Sequence, residues 1–136
     1  MIATRGERNN NPGNIDRSTI RWEGMSADQS SDDRFIVFQT PQFGIRALAK
    51  ILLNYQDVHH LDTIRQIIDR WAPPSENDSG AYVTDVAADV GVGPDDKIDL
   101  NDAAILTKLV TAIIRHENGR VIYSETMISG VAAEVV

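Results

Sequence analysis

Three segments in the middle of the chain carry apolar residues three or four positions apart, which is the spacing of one helix face. They predict a first helix after Thr40, a second after Asp62 and a third after the polar run SENDSG, where Asn77 or Asp78 is the candidate N-cap. Gly91 follows the third segment, at a position where a left-handed residue commonly ends a helix. The central part of the chain is therefore predicted to be helical.

Residues 103–118 have the clearest helical pattern, because they contain no glycine or proline and carry a continuous apolar stripe. Asn101 or Asp102 is the expected N-cap, and Gly119 is the expected end. A short extended piece at 121–123 and a mildly apolar tail follow. The stripe consists of Leu106, Leu109, Val110 and Ile113.

The first 39 residues are polar and rich in turn formers, and only residues 19–22 and 35–38 have the length and composition of strands. These two segments predict a β-hairpin with a long loop. The expected fold is therefore α+β and mostly helical, with a polar N-terminal β-hairpin region and four helices. We expect a single domain over residues 1–136, with a loop and β region at 1–39 and a helical region with its tail at 40–136.

Composition narrows the classes of function. The chain of 136 residues has 20 acidic and 13 basic residues, and therefore a net charge of −7. This charge disfavours nucleic acid as a partner, because binding to nucleic acid depends on neutralising its phosphates. No apolar run is long enough for a membrane span, and the N-terminus has no apolar core of a signal peptide. The chain has no cysteine, His59 and His60 are adjacent, and the acidic stretch 93–102 lacks the pattern of a calcium loop. We therefore expect no metal and no cofactor.

Glu117 is the candidate catalytic residue. It continues the apolar stripe of the last helix and lies at the C-terminus of that helix. Desolvation at the rim of the core and the helix dipole both favour the protonated form of a carboxyl there, as a general acid requires. The alternative is that Glu117 lies in solvent before a glycine cap. Glu7 is a weaker candidate, because Arg5 and Arg8 would lower the pKa of its carboxyl.

The ending HENG, residues 116–119, resembles the catalytic helix of lysozyme-like murein hydrolases and lytic transglycosylases. The stretch NNNPGNIDRSTIRWEG, residues 9–24, is similar to the N-x-x-G-I…W-x-G region of glucosaminidase-type lysozyme relatives. The two regions occur in the reverse of the usual order, so the resemblance implies a circularly permuted lysozyme-like domain. It also implies that Glu117 protonates the glycosidic oxygen.

Further substrate-binding residues are expected around this acid. Amides of the turn-rich segment 5–15 suit acetamido groups and sugar hydroxyls, although a purely structural turn explains the same residues. In the loop at 70–82, Trp71 and Tyr82 either stack on sugar rings or belong to the core. Glu76 is either a second carboxylate of the site or a solvated loop residue. His116 lies at the C-terminal end of the last helix, where the helix dipole stabilises the charged form of its imidazole. The predicted substrate-binding residues are Asn10, Asn11, Asn14, Trp22, Glu76, Tyr82 and His116.

The whole chain also resembles a family of short phage and prophage virion structural proteins, through RGERNNNPGNI (5–15), FGIRALAKILLNY (43–55), RWAPPSEN (70–77) and HENG (116–119). This resemblance implies a phage particle protein, made in the host cytoplasm without a signal peptide. Its expected partners are peptidoglycan, other virion proteins and further copies of itself within the particle. Two functions stay open: cleavage of peptidoglycan glycan strands during wall penetration, or a non-catalytic structural role in the tail, baseplate or capsid.

Overall fold

Six helices make up the regular secondary structure of residues 2–73 and 78–136, which are the residues that the computed structural model describes. In chain order they are α1 (Arg5–Arg8), α2 (Pro41–Asp57), α3 (Ile64–Trp71), α4 (Ser79–Val90), α5 (Ala103–Asn118) and α6 (Glu125–Val135). The four predicted helices correspond to α2 to α5, whereas α1 and α6 are additional. None of the described helices is both long and apolar enough to cross a membrane.

The helix ends follow from local capping chemistry. Thr63, rather than the predicted Asp62, is the N-cap of α3, and its hydroxyl accepts a backbone hydrogen bond from the first turn. Asp78 caps α4 in the same way, as one of the two predicted alternatives. Gly91 and Gly119 end α4 and α5 with φ angles of 87° and 74°, which a residue without a Cβ adopts at little cost. Both glycine ends are confirmed.

Helix α5 is the central packing element, since it contacts α1, α2, α4 and α6. Asp102 caps it, and the four residues of its predicted apolar stripe are completely shielded from solvent. The burial of each such side chain contributes about 1.5–3 kcal/mol to the stability of the fold, relative to an exposed position. The buried part of α5 ends at Ile114, so the last turn of the helix lies at the edge of the core.

The predicted N-terminal β-hairpin is wrong, and with it the α+β fold class. Residues 2–73 and 78–136 contain no strand; residues 9–40 form an irregular layer with isolated antiparallel bridges at Asp16–Phe35 and Met25–Phe38. The residues described are helical apart from loops, turns and these bridges.

Side-chain amides explain why no hairpin forms. The Asn11 amide donates to the carbonyls of Ile15 and Ile36 at 3.0 and 2.9 Å. The Gln29 amide both accepts from the backbone N–H of Val37 and donates to its carbonyl, at 2.8 and 2.7 Å. The backbone groups of residues 35–38 thus obtain partners without a continuous neighbouring strand. The strand-like composition of this segment reflects burial, not ladder pairing.

Candidate functional site

Glu117 lies in the last turn of α5, half-buried, and its carboxyl joins two distant parts of the chain. Asn14 Nδ2, from the N-terminal loop, donates to Glu117 Oε1 at 3.2 Å. The Tyr82 hydroxyl, from α4, donates to Glu117 Oε2 at 2.9 Å. Each carboxyl oxygen therefore accepts one hydrogen bond, and Glu117 has a fixed orientation instead of lying free in solvent.

Tyr82 holds this carboxyl from within the core. Its side chain is only 1% exposed, and its ring stacks on the His116 imidazole with the centroids 3.6 Å apart. Burial, followed by the charge of Glu117, raises the pKa of Tyr82 above its ordinary value, while a hydrogen bond with Trp71 acts in the opposite direction. Tyr82 therefore stays a hydrogen-bond donor to Glu117, and its ring faces the core and His116 rather than open solvent.

The loop that carries Asn14 is built to approach the end of α5. Asn14 has a φ of 52°, in the left-handed region that asparagine tolerates better than most residues. Asn118, the residue after Glu117, donates from its amide to the Pro12 carbonyl at 2.8 Å and accepts from the Thr4 hydroxyl at 2.6 Å. These bonds tie the loop and α1 to α5. The side-chain amide oxygen of Asn14, Oδ1, is itself buried without a partner among the described residues.

A cleft of about 310 Å³ opens beside Glu117. Asp16 lines it and forms an ion pair with Arg34, with Nε to Oδ1 at 2.8 Å and both side chains largely exposed. Trp71, at the end of α3, lines the same cleft, so an indole and two carboxyl groups face one space. The lining consists of Gly13, Asn14, Ile15, Asp16, Arg34, Phe35, Ile51, Tyr55, Trp71, Ala72 and Glu117.

Asn10 and Asn11 do not line this cleft. Asn11 is fully buried and uses its amide on the backbone of Ile15 and Ile36, while Asn10 donates to the Phe38 carbonyl at 3.1 Å. The backbone of Asn10 also packs on Gly44, where a Cβ would lie 1.9 Å from the Asn10 carbonyl oxygen. The contacts of both residues are those of a structural turn.

The remaining predicted residues are distributed differently. Trp22 is half-buried and lines a separate apolar groove next to the Glu117 cleft. His116 is exposed on α5 and reaches the site through its stacking on Tyr82. Glu76 lies outside the described residues. The structure therefore brings Asn14, Tyr82, His116 and Glu117 together and leaves Asn10, Asn11 and Trp22 apart from them.

Glu7 belongs to a buried ion pair rather than to the cleft. The Arg120 guanidinium contacts both oxygens of the carboxylate, with Nε to Oε2 at 2.9 Å. Its hydrogen bond is the main cause that lowers the pKa of Glu7, against the opposing effect of burial. The predicted direction is confirmed, but the arginine is Arg120: Arg5 binds Asp32, and Arg8 donates to a backbone carbonyl.

Sequence reasoning missed Asp16, Asn118 and the Glu7–Arg120 pair. The spacing Thr4-x-x-Glu7 is typical of a capping box, and it was a local signal for α1. The structure contains this capping box, with Thr4 as the N-cap and Glu7 three residues later. Asn118 stands within the HENG motif, so its place beside Glu117 was visible although its partners were not. Asp16 had no local signal, because it enters the cleft only through the irregular path of the N-terminal loop.

The arrangement has the parts of an acid–base site. A carboxyl that lines a cleft and is oriented by two fixed donors can give a proton to, or take one from, a bound oxygen with little reorganisation. Asp16 adds a second carboxylate to the same space. Among residues 2–73 and 78–136 no group of three or more His, Asp or Glu side chains is close enough to hold a metal ion.

Fold and site together define a small helical protein with a carboxylate-lined cleft at the end of its central helix. No protein-family model matches the chain. Among curated proteins, Protein P5 of Pseudoalteromonas phage PM2 is 42% identical over 120 residues, which cover 86% of this chain and 72% of the relative. The chain therefore belongs to the family of this bacteriophage protein.

Proposed function

We propose that this bacteriophage protein is associated with the virion and that its Glu117 cleft binds and cleaves peptidoglycan glycan strands during penetration of the host wall. Its partners are then peptidoglycan and other virion proteins, with further copies of the chain as a candidate partner in the particle. One observation carries the enzymatic proposal: the half-buried Glu117 carboxyl lines a cleft and is held there by a hydrogen bond from Asn14, although 103 positions separate the two residues.

In the proposed reaction Glu117 protonates the glycosidic oxygen of the bound strand as the bond between that oxygen and the anomeric carbon breaks. Water, or the 6-hydroxyl of the same sugar, then bonds to the anomeric carbon and returns its proton to the Glu117 carboxylate, which leaves a reducing or an anhydro end. Tyr82 and Asn14 orient the carboxyl, so little reorganisation is needed before proton transfer. The Asp16 carboxylate lines the same cleft together with its ion-pair partner Arg34, and the two supply hydrogen-bonding groups for sugar hydroxyls. Trp71 offers an apolar surface to the sugar.

The test is release of dye from labelled murein by the wild-type protein and two matched variants. Glu117→Gln preserves the shape and one acceptor oxygen but removes the acid, so we expect loss of activity by at least about a hundredfold. Glu134→Gln makes the same change at an exposed position of α6 and should leave activity unaltered. Equal release by all three proteins would refute the role of Glu117.

A non-catalytic structural role in the tail, baseplate or capsid is the second candidate. It is favoured by the two hydrogen bonds that Glu117 accepts, because a carboxylate that links α4 and the N-terminal loop to α5 also serves as a fold contact. The net charge of −7 points the same way, since it disfavours free diffusion to an anionic wall. Purified protein that releases no dye, together with a fixed copy number in isolated particles, would support this role.

A further inference from the structure

A second, largely apolar groove of about 460 Å³ adjoins the Glu117 cleft. Ile15, Ile51 and Tyr55 line both spaces, so the two are neighbours with a shared wall. The residues that line only the second groove are Ser18, Ile20, Trp22, Lys50 and Asn54. Each of the two volumes falls within the range of small-molecule binding sites.

The chemistry of this groove fits a sugar chain. Ile20 is 54% exposed, and with Trp22 it forms an apolar surface open to solvent. An indole presents a flat apolar face, which suits the C–H face of a pyranose ring. Ser18, Lys50 and Asn54 supply hydrogen-bonding groups for hydroxyl and acetamido substituents. A sugar chain uses both kinds of contact, with its apolar ring faces on the aromatic and aliphatic surface and its substituents on the polar groups at the edge.

From the shared wall and this lining we infer that the Trp22 groove binds sugar units of the same glycan strand whose bond lies at Glu117. The inference rests on the proposed function and makes it more specific: the substrate is an extended β-1,4-linked, N-acetylated strand that occupies both spaces at once. The protein should therefore act on long strands within their length and bind short fragments weakly.

The two tryptophans of the chain make the test direct, because Trp71 lines the Glu117 cleft and Trp22 lines the second groove. Each contributes one indole N–H signal in a nitrogen–proton correlation spectrum. Peptide-free murein glycan strands of defined length are titrated into the Glu117→Gln protein, which prevents turnover. A long strand should shift both indole signals along one common binding curve, while a disaccharide should bind at least tenfold more weakly.

Substitutions inside and outside the groove test whether the groove residues themselves bind the strand. Trp22→Ala should weaken binding of the long strand about tenfold, as for one well-packed aromatic contact, and Ile20→Ala roughly threefold. Ile122→Ala is the matched control for Ile20→Ala, since Ile122 is 57% exposed and lies outside the groove. Because Ile20 is so exposed, its truncation should not disturb the fold, which is checked by circular dichroism.

Three results would overturn the inference. A shift of the Trp71 signal alone would leave the proposed function standing and remove the second groove from it. Two signals that follow different binding curves would indicate an independent site. If neither signal moves, the proposed function fails together with the inference, and a groove that docks another virion protein becomes the better explanation.

Discussion

One buried tyrosine hydroxyl of this protein has a hydrogen-bond partner and another has none. We therefore expect removal of the first to lower stability and removal of the second not to. The Tyr82 hydroxyl donates to Glu117 at 2.9 Å, whereas the Tyr123 hydroxyl is buried with no partner among the described residues. The substitutions Tyr82→Phe and Tyr123→Phe delete the same atom and leave both rings in place. Any difference between them therefore reports the hydrogen bond.

The magnitude follows from the contacts. A hydrogen bond to a charged group contributes about 1.5–3 kcal/mol, and Glu117 is half-exposed and keeps Asn14 as a donor. We therefore expect Tyr82→Phe to lower the free energy of unfolding by about 1–2 kcal/mol, or the Tm by roughly 4–8 °C for a chain of this size. Tyr123→Phe relieves an unpaired buried hydroxyl and should be neutral or stabilising by up to about 1 kcal/mol.

The pH dependence provides a second check. The folded-state pKa of Tyr82 is raised, first by burial and then by the charge of Glu117. Its contribution is therefore complete below the unfolded-state value of about 10 and is lost as pH rises beyond that value. Urea unfolding followed by circular dichroism at pH 7 and at pH 10.5 should show the gap between wild type and Tyr82→Phe narrowing. Equal losses of stability for the two phenylalanine variants at pH 7 would show that the Tyr82–Glu117 hydrogen bond does not stabilise the fold.

Three other substitutions test the N-terminal layer. Gly44→Ala should cost at least about 3 kcal/mol in thermal unfolding, because its Cβ would lie 1.9 Å from the Asn10 carbonyl oxygen. Asn11→Ala removes three hydrogen bonds of a fully buried amide and should cost about 2–4 kcal/mol by urea unfolding; a loss under 0.5 kcal/mol would contradict the structural role. The Asp32 pKa is lowered, mainly by Arg5, so the Tm advantage of wild type over Asp32→Asn should shrink as pH falls below about 4. A gap independent of pH would contradict this assignment.

Much of the helical core could be predicted from periodicity, because α5 buries one continuous stripe and glycines end α4 and α5. The sequence predicts only a mildly apolar tail where α6 lies, because the small residues of this segment and Gly130 give little contrast between helix faces. Its start was nevertheless encoded, as the Ser124 side chain accepts from the Met127 N–H. Local patterns predict elements best where burial and capping agree. Helix α6 buries Ile128, Val131 and Ala132 at helical spacing, but its other faces differ too little in polarity for that pattern to stand out.

The site was predictable only in part, because its contacts join distant segments. The HENG motif pointed to Glu117, and the asparagine-rich loop pointed to Asn14. The Tyr82 bond depends on how α4 packs against α5, which no local pattern contains. Glu7 illustrates the opposite error: the arginines beside it in sequence bind elsewhere, and Arg120, 113 positions away, is its partner.

The β-hairpin failed for a related reason. Residues 35–38 have strand-like composition, but an amide side chain competes with a neighbouring strand for backbone groups. Asn11 and Gln29 take that role, and both look like ordinary turn residues in the sequence. Composition can therefore predict that such a segment is buried and extended without predicting its partner.

The most direct test of Glu117 as a catalytic acid is mass spectrometry of the soluble products that the purified protein releases from murein, with Glu117→Gln and Glu134→Gln in parallel. We expect fragments cut at a glycosidic bond, with reducing or anhydro ends, from wild type and Glu134→Gln, and none from Glu117→Gln. No soluble fragments from wild type, or the same fragments from Glu117→Gln, would rule out this role of Glu117.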